Sequence, residues 1–223
     1  MSKSFFLFIL LLSMNVWSRN PIPASRFQYL TGAKITRDSK TDWDQRYNKP
    51  QFIFGKRPAK FLADNYSFIQ PESTVLDMGM GEGRNAVFLA QKGYKVTGVD
   101  ISSVAVKKAQ LLSKEYGVKI KGIVASLKEH KFPPESFDSV ICFYYVDRSL
   151  IEKIKTWLKP GGVIIYEAYT LRHKAAASLK NEPDDFFLRE QELLKLFSDM
   201  KVLKFEEPIH EKEYRSSIIL QKN

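Results

Sequence analysis

At 223 residues the chain is long enough for one well-buried α/β domain and too short for two of ordinary size. A hydrophobic fraction of 44% and a charged fraction of 27% exclude a disordered or low-complexity protein. The formal charge of +10 comes from lysines scattered along the chain, with no nucleic-acid motif beside them, so it reads as a solvated surface and no nucleic-acid partner is expected.

Residues 1–18 form a signal-like or membrane-associating segment: Lys3, then an apolar run from Phe5 to Met14, then Val16-Trp17-Ser18 as a tolerable cleavage site. Arg19, Arg26, Lys34 and Arg37 follow it with only Asp38 to oppose them, a distribution that favours a cytoplasmic domain. Export, a cytoplasmic protein held at the membrane, and a start codon assigned too early remain open. The lone Cys142 cannot form an internal disulfide and so adds no support for an oxidising compartment. Residues 19–40, with Pro21 and Pro23, read as a linker, leaving 41–223 as the domain.

The domain opens on Thr41 to Gly55, dense in aromatics before any strand has begun. A helix over Pro58–Asn65 and a strand over Thr74–Met78 follow. Gly79, Gly81 and Gly83 then stand at alternate positions, which permits backbone conformations closed to other residues and close approach of a ligand. Next come a helix over Arg84–Lys92, with a free amino terminus suited to an anionic group, and a strand over Lys95–Val99 ending on Asp100. A dinucleotide fingerprint would need glycine where Arg84 stands, so a nucleotide-dependent oxidoreductase is disfavoured. Asp77, two residues before the first glycine, is placed to bind an ammonium group or order the turn, and Asp100 to meet ribose hydroxyls.

Ser102 is a good N-cap for a helix over Val104–Tyr116. Strands are expected over Lys119–Val124 and Phe137–Phe143, a helix over Ser149–Leu158, and a sharp turn over Lys159–Gly162 into a strand over Val163–Tyr166. Glu167 to His173 reads as a loop long enough to reach over the site. A helix over Glu190–Phe197 and strands over Lys201–Glu206 and Tyr214–Gln221 complete the chain. Alternation of strand and helix predicts a mostly parallel sheet covered on both faces.

Val75 to Asp100 resembles motifs I and II of the class I S-adenosylmethionine-dependent methyltransferases, with both carboxylates in place. The resemblance implies a Rossmann-like, doubly wound, seven-stranded sheet with a terminal antiparallel strand, and S-adenosyl-L-methionine as cofactor. In that likeness Asp77, Gly79, Gly81 and Gly83 hold the amino-acid half and Asp100 with Ile101 the ribose. Ser126 and Leu127 bracket the adenine, Ser126 standing where aspartate is common and so reading it without charge assistance.

Trp43, Arg46, Tyr47, Phe54 and Gly55 resemble the cofactor-covering lid of the thiopurine and tellurite-resistance group, although the same aromatics would also serve to pack a capping helix. Phe143 is expected beside the cofactor, and Tyr144 and Tyr145 along the substrate pocket; ordinary core packing is the other reading of these three. Glu167, Tyr169 and His173 are the candidate substrate-side polar groups, and neither a metal nor a definite catalytic base is nominated. The implied reaction is methyl transfer to a small acceptor such as a thiol, a chalcogen oxyanion or another small nucleophile. A non-catalytic cofactor-binding or membrane-tethered module of the same fold is the alternative, and the oligomeric state is left open. One consequence is that Asp100→Ala should weaken cofactor binding far more than it disturbs folding.

Overall fold

The computed structural model describes residues 39–179, 182–208 and 213–223. The signal-like segment and nearly all of the linker lie outside them. No helix among the described residues is long and apolar enough to cross a membrane.

Helices α1 (Lys40–Tyr47) and α2 (Lys60–Asn65) precede the sheet. Then β1 (Thr74–Met78), α3 (Arg84–Gln91), β2 (Lys95–Asp100), α4 (Ser103–Glu115), β3 (Lys121–Val124) and β4 (Phe137–Phe143) alternate as the sequence predicts. The remainder is α5 (Ile151–Trp157), β5 (Leu158–Tyr169), α6 (Leu171–Ala176), α7 (Glu192–Leu196), β6 (Lys201–Glu206) and β7 (Arg215–Gln221). The seven strands lie in the order β3-β2-β1-β4-β5-β7-β6. β1 to β5 are mutually parallel, and β7 is antiparallel to both β5 and β6, between which it is inserted.

Both faces of the sheet are buried, which is why its strands are apolar at consecutive positions. In β4, Val140 and Cys142 enter one core with Leu76, Trp157 and Phe197, while Ile141 and Phe143 enter the other with Val75, Leu89 and Ile219. Glycines set the spacing of this packing. A Cβ on Gly98 would lie 2.0 Å from the Met80 sulfur, and one on Gly83 would lie 2.6 Å from Cβ of Ala109.

Two expectations are corrected. The expected loop from Glu167 to His173 is instead the end of β5 and the first turn of α6, because β7 supplies a ladder as far as Tyr169 opposite Arg215. The sharp turn over Lys159–Gly162 lies within β5 as an irregularity: Phe137 pairs with Leu158, and the register resumes at Ser139 with Val163. Gly161 there has a φ of +73°, and a side chain on Gly162 would meet the Asp138 carbonyl at 2.8 Å.

Candidate active site

The carboxyl ends of β1 to β4 open onto a cleft of ≈ 940 Å³, counted out to its mouth, where ligands of open α/β sheets bind. Gly79 and Gly81 line it with φ of +64° and +56°. Gly83 does not: its missing Cβ makes room for Ala109, so its task is to let α3 and α4 approach.

Asp77 stands behind the glycine turn, 2% exposed and off the cleft lining. Its carboxylate accepts the Ala86 backbone N–H, while Oδ2 is buried with no hydrogen-bond partner in the structure. Burial, together with the Asp100 carboxylate, pushes its pKa up to about 8, against the pull of Arg84 and the Ala86 N–H. Asp100 does line the cleft. Its Oδ2 accepts Gly81 N–H at 2.8 Å and its Oδ1 accepts Ser102 N–H at 2.9 Å, and burial still raises its pKa to about 6.

The aromatic entry segment both lines the cleft and packs on itself. Trp43, Tyr47, Phe54 and Gly55 line the cleft. Tyr47 stacks on Trp43 with ring centroids 5.8 Å apart and meets Phe54 edge-on at 6.3 Å. Arg46 is off the lining: it lies over the Trp43 ring at 4.9 Å and pairs with Glu182 at 3.8 Å.

Two attachments bind this segment to α4. Asp44 accepts from the Ser102 hydroxyl at 2.7 Å and from Val104 N–H at 3.2 Å. Lys108 pairs with buried Glu82 and donates to the carbonyls of Tyr47, Lys49 and Gln51 at 3.3, 3.0 and 2.7 Å. The Lys108–Glu82 ion pair therefore joins the entry segment to the glycine turn.

Ile101, Ser126 and Leu127 line the end of the cleft formed by β2 and β3, and Phe143, Tyr144 and Tyr145 line the side formed by β4. Tyr144 has a φ of +59°, rare for a bulky side chain. Its hydroxyl donates to Glu167 Oε1 at 2.7 Å, and Glu167 Oε2 accepts from the Ser217 hydroxyl at 2.8 Å.

Glu167, Tyr169 and His173 do not reach the cleft, which corrects their placement as substrate-side groups. They form a layer behind Tyr144, with Tyr169 at 4.8 Å from its ring and His173 stacked on Tyr169 at 4.2 Å. Burial and nearby Arg215 hold the His173 pKa down to about 4, so the imidazole is neutral at physiological pH.

Met80, Glu82, Arg84, Asn85 and Ala125 also line the cleft and were not singled out by the sequence reading as site residues. Arg84 entered that reading only as the residue that breaks a dinucleotide fingerprint. A cation in the first turn of the helix after the glycines was the available signal.

The cleft residues fit S-adenosylmethionine. Gly79 and Gly81 expose main chain and Asp100 presents a carboxylate, while Asp77, behind the turn and off the lining, holds a buried oxygen with no hydrogen-bond partner. Comparisons agree. Residues 75–162 match the model of a family described as a methyltransferase domain. The ubiquinone biosynthesis O-methyltransferase of Chromobacterium violaceum is 34% identical over 111 residues, which cover 47% of this chain and 47% of that protein. Its Vibrio cholerae counterpart is 29% identical over 141 residues, 55% of this chain and 58% of that protein. The chain thus spans about half the length of the curated relatives it matches.

Among solved structures, TehB of Haemophilus influenzae superposes with a TM-score of 0.61 at 19% identity, over 82% of this chain and 67% of that one. A protein from echinomycin biosynthesis, solved in connection with conversion of a disulfide bond into a thioacetal group, gives 0.66 at 20% identity, over 82% and 92%. The [4+2]-cyclase SpnF gives 0.57 at 15% identity, over 69% and 76%, so the shared fold does not by itself name a reaction. Residues 75–162 thus match a methyltransferase domain, and they lie within a seven-stranded sheet whose fold the chain shares with the solved structures above.

Proposed function

We propose that the protein is an enzyme that transfers a methyl group from S-adenosylmethionine to a small-molecule acceptor. The observation that carries this reading is the pair of buried carboxylates, Asp77 and Asp100, set on either side of a glycine turn at the carboxyl ends of adjacent parallel strands. When bound, S-adenosylmethionine supplies a methyl group already activated on a sulfonium. This chain's residues bind, orient and exclude water.

Asp77 Oδ2 is the acceptor for an ammonium group, Asp100 for ribose hydroxyls, and Ser126 with Leu127 adjoins the adenine. Trp43, Tyr47 and Phe54 form an apolar cover over the cleft, held by Asp44 and Lys108. Positioning of this kind is worth about 7–11 kcal/mol in favourable cases. Arg84, Phe143, Tyr144 and Tyr145, which line the acceptor side, include no carboxylate or imidazole. That supports an acceptor needing no general base: a thiolate, a chalcogen oxyanion or a phenolate. The names of the curated relatives favour oxygen.

Calorimetry with S-adenosylmethionine and S-adenosylhomocysteine tests the cofactor assignment; no heat of binding at millimolar ligand would overturn it. Turnover is then read as S-adenosylhomocysteine release across a panel of thiols, chalcogen oxyanions and phenols. Binding without turnover on any acceptor would favour a non-catalytic module. We place the domain on the cytoplasmic side, free or held there through residues 1–18, because the cofactor is made in the cytosol and basic residues follow the apolar run. Fractionation that finds the protein outside the cell would refute that placement.

A further inference from the structure

We propose that Arg84 and Tyr144 form the acceptor wall of this cleft, that the wall selects a flat aromatic anion, and that buried Glu167 is the positioning residue that holds Tyr144 in place. The inference rests on the reading of the cleft as a methyl-transfer site and adds the acceptor's chemical class.

Strand order fixes which end of the cleft is which. Asp100 ends β2, Ser126 follows β3, Gly79 follows β1, and Tyr144 follows β4, the next strand outward on the other side. A cofactor laid with its adenosine over β3 and β2 and its amino-acid end over β1 leaves the space over β4 for the acceptor. Arg84 leans that way. Its guanidinium lies over the Tyr144 ring at 5.5 Å and the Phe54 ring at 5.9 Å, and Nη1 donates to the Phe54 carbonyl at 3.2 Å. The other guanidinium N–H groups make no further hydrogen bond to the described residues.

Tyr144 is held against its backbone preference. At φ +59° its ring is turned out of the β4 register, and strain of this kind persists where the surroundings over-determine it. Both its donors end on Glu167: the N–H donates to the Glu167 carbonyl at 2.8 Å and the hydroxyl to the carboxylate at 2.7 Å. Glu167 is 2% exposed and is itself fixed by the Ser217 hydroxyl and by Arg215, whose Nη1 lies 3.5 Å from Oε1. Tyr169 and His173 back the ring. With its hydroxyl proton committed to Glu167, Tyr144 presents ring surface to the acceptor.

A fixed aromatic face beside a guanidinium, which recognises carboxylates in two-point fashion and stacks on flat groups, suits an arene bearing a carboxylate or phenolate. It repels a cation. Such an acceptor uses its own lone pair for the new bond to carbon while the carbon–sulfur pair stays with sulfur, and no proton is left for a base to remove. That agrees with the lack of a base on the wall.

The test uses the full chain saturated with S-adenosylhomocysteine and three arenes of similar size: salicylate, phenol and benzylamine. Calorimetry should show salicylate binding about tenfold tighter than phenol, and benzylamine weaker than either. Arg84→Met should bring salicylate and phenol within about twofold of each other while S-adenosylhomocysteine affinity changes less than about threefold. Tyr144→Ala should weaken both, and Tyr144→Phe, which keeps the ring and loses the bond to Glu167, should weaken salicylate by about fivefold. Glu167→Gln, which keeps a hydrogen-bond acceptor, should be milder than Glu167→Ala.

Equal binding of the three arenes by the wild-type protein overturns the proposal without any variant having to fold. So does an Arg84→Met protein that loses S-adenosylhomocysteine and keeps its preference for salicylate, which would assign Arg84 to the cofactor. Failure of the wild-type protein to bind S-adenosylhomocysteine at all would instead bring down the methyl-transfer reading, and this inference with it.

Discussion

Burial leaves neither Asp77 nor Asp100 comfortable as an anion. With the Asp77 pKa at about 8, the folded protein without ligand holds a proton that the unfolded chain, near 3.8, gives up. Folded protein then binds more protons than unfolded, so stability falls as pH rises from about 4 to about 8. Urea denaturation of the protein at intervals across that range should show the decline, and Asp77→Asn should shrink it to the part below about pH 6 that Asp100 contributes. An ammonium group needs the carboxylate form, so affinity for S-adenosylhomocysteine should rise over the same window, with proton release visible as a dependence of binding heat on buffer.

Asp100 alters a substitution that the sequence made attractive. Alanine there was expected to spare the fold, yet it would strand the N–H groups of Gly81 and Ser102, both bonded to the carboxylate. Buried donors left unpaired cost about 1–3 kcal/mol each. Asp100→Asn, which keeps one oxygen acceptor, is the discriminating change: cofactor affinity should drop about tenfold or more with a far smaller change in melting temperature than alanine causes.

At the scale of elements, two glycines separate packing from backbone freedom. Gly83 and Gly93 both have positive φ, but a Cβ meets Ala109 at 2.6 Å at the first and nothing within 4 Å at the second. Gly93→Ala should therefore cost about 1 kcal/mol and Gly83→Ala clearly more, as α3 and α4 are forced apart; thermal denaturation of the pair measures the difference. Lys108 offers a similar contrast for the lid. Lys108→Met leaves Glu82 buried without its cation and frees the carbonyls of Tyr47, Lys49 and Gln51, so S-adenosylhomocysteine should dissociate faster in stopped-flow measurements.

What the sequence showed at this scale was local. The glycine turn, the N-cap at Ser102 and the strand over Phe137–Phe143 each depend on neighbours within a few residues, and all are present. The stretch from Glu167 to His173 was misread because its strand is made by a partner 50 residues on, where Ser217 meets Glu167. A glutamate, a tyrosine and a histidine without that partner look like a loop. Arg84 was passed over as a site residue for a related reason: only the fold brings it, from the start of α3, over Tyr144 at the end of β4.

For the molecule as a whole, the insertion of β7 between β5 and β6 makes a strand late in the chain part of the deep core. Ile219 is fully buried and opposes Ile165 on one side and Lys204 on the other. Ile219→Ala should cost about 2–5 kcal/mol by chemical denaturation, as for a residue in the middle of the sheet. The same strand anchors the acceptor wall, since Arg215 and Ser217 are the β7 residues that fix Glu167.

Insertion of β7 also gives synthesis an order. A nascent chain that has emerged only as far as Glu206 shows the outer edge of β5 unpaired, and β6, which pairs only with β7, has no strand to join. Completion of the sheet waits for Arg215–Gln221 to pair antiparallel with both. Until then Glu167 lacks Ser217 and Arg215, and Tyr144 lacks a fixed support. The glycine turn and its two aspartates come from strands made long before, so the cofactor side can take shape while the acceptor side is still waiting for the last strand of the sheet.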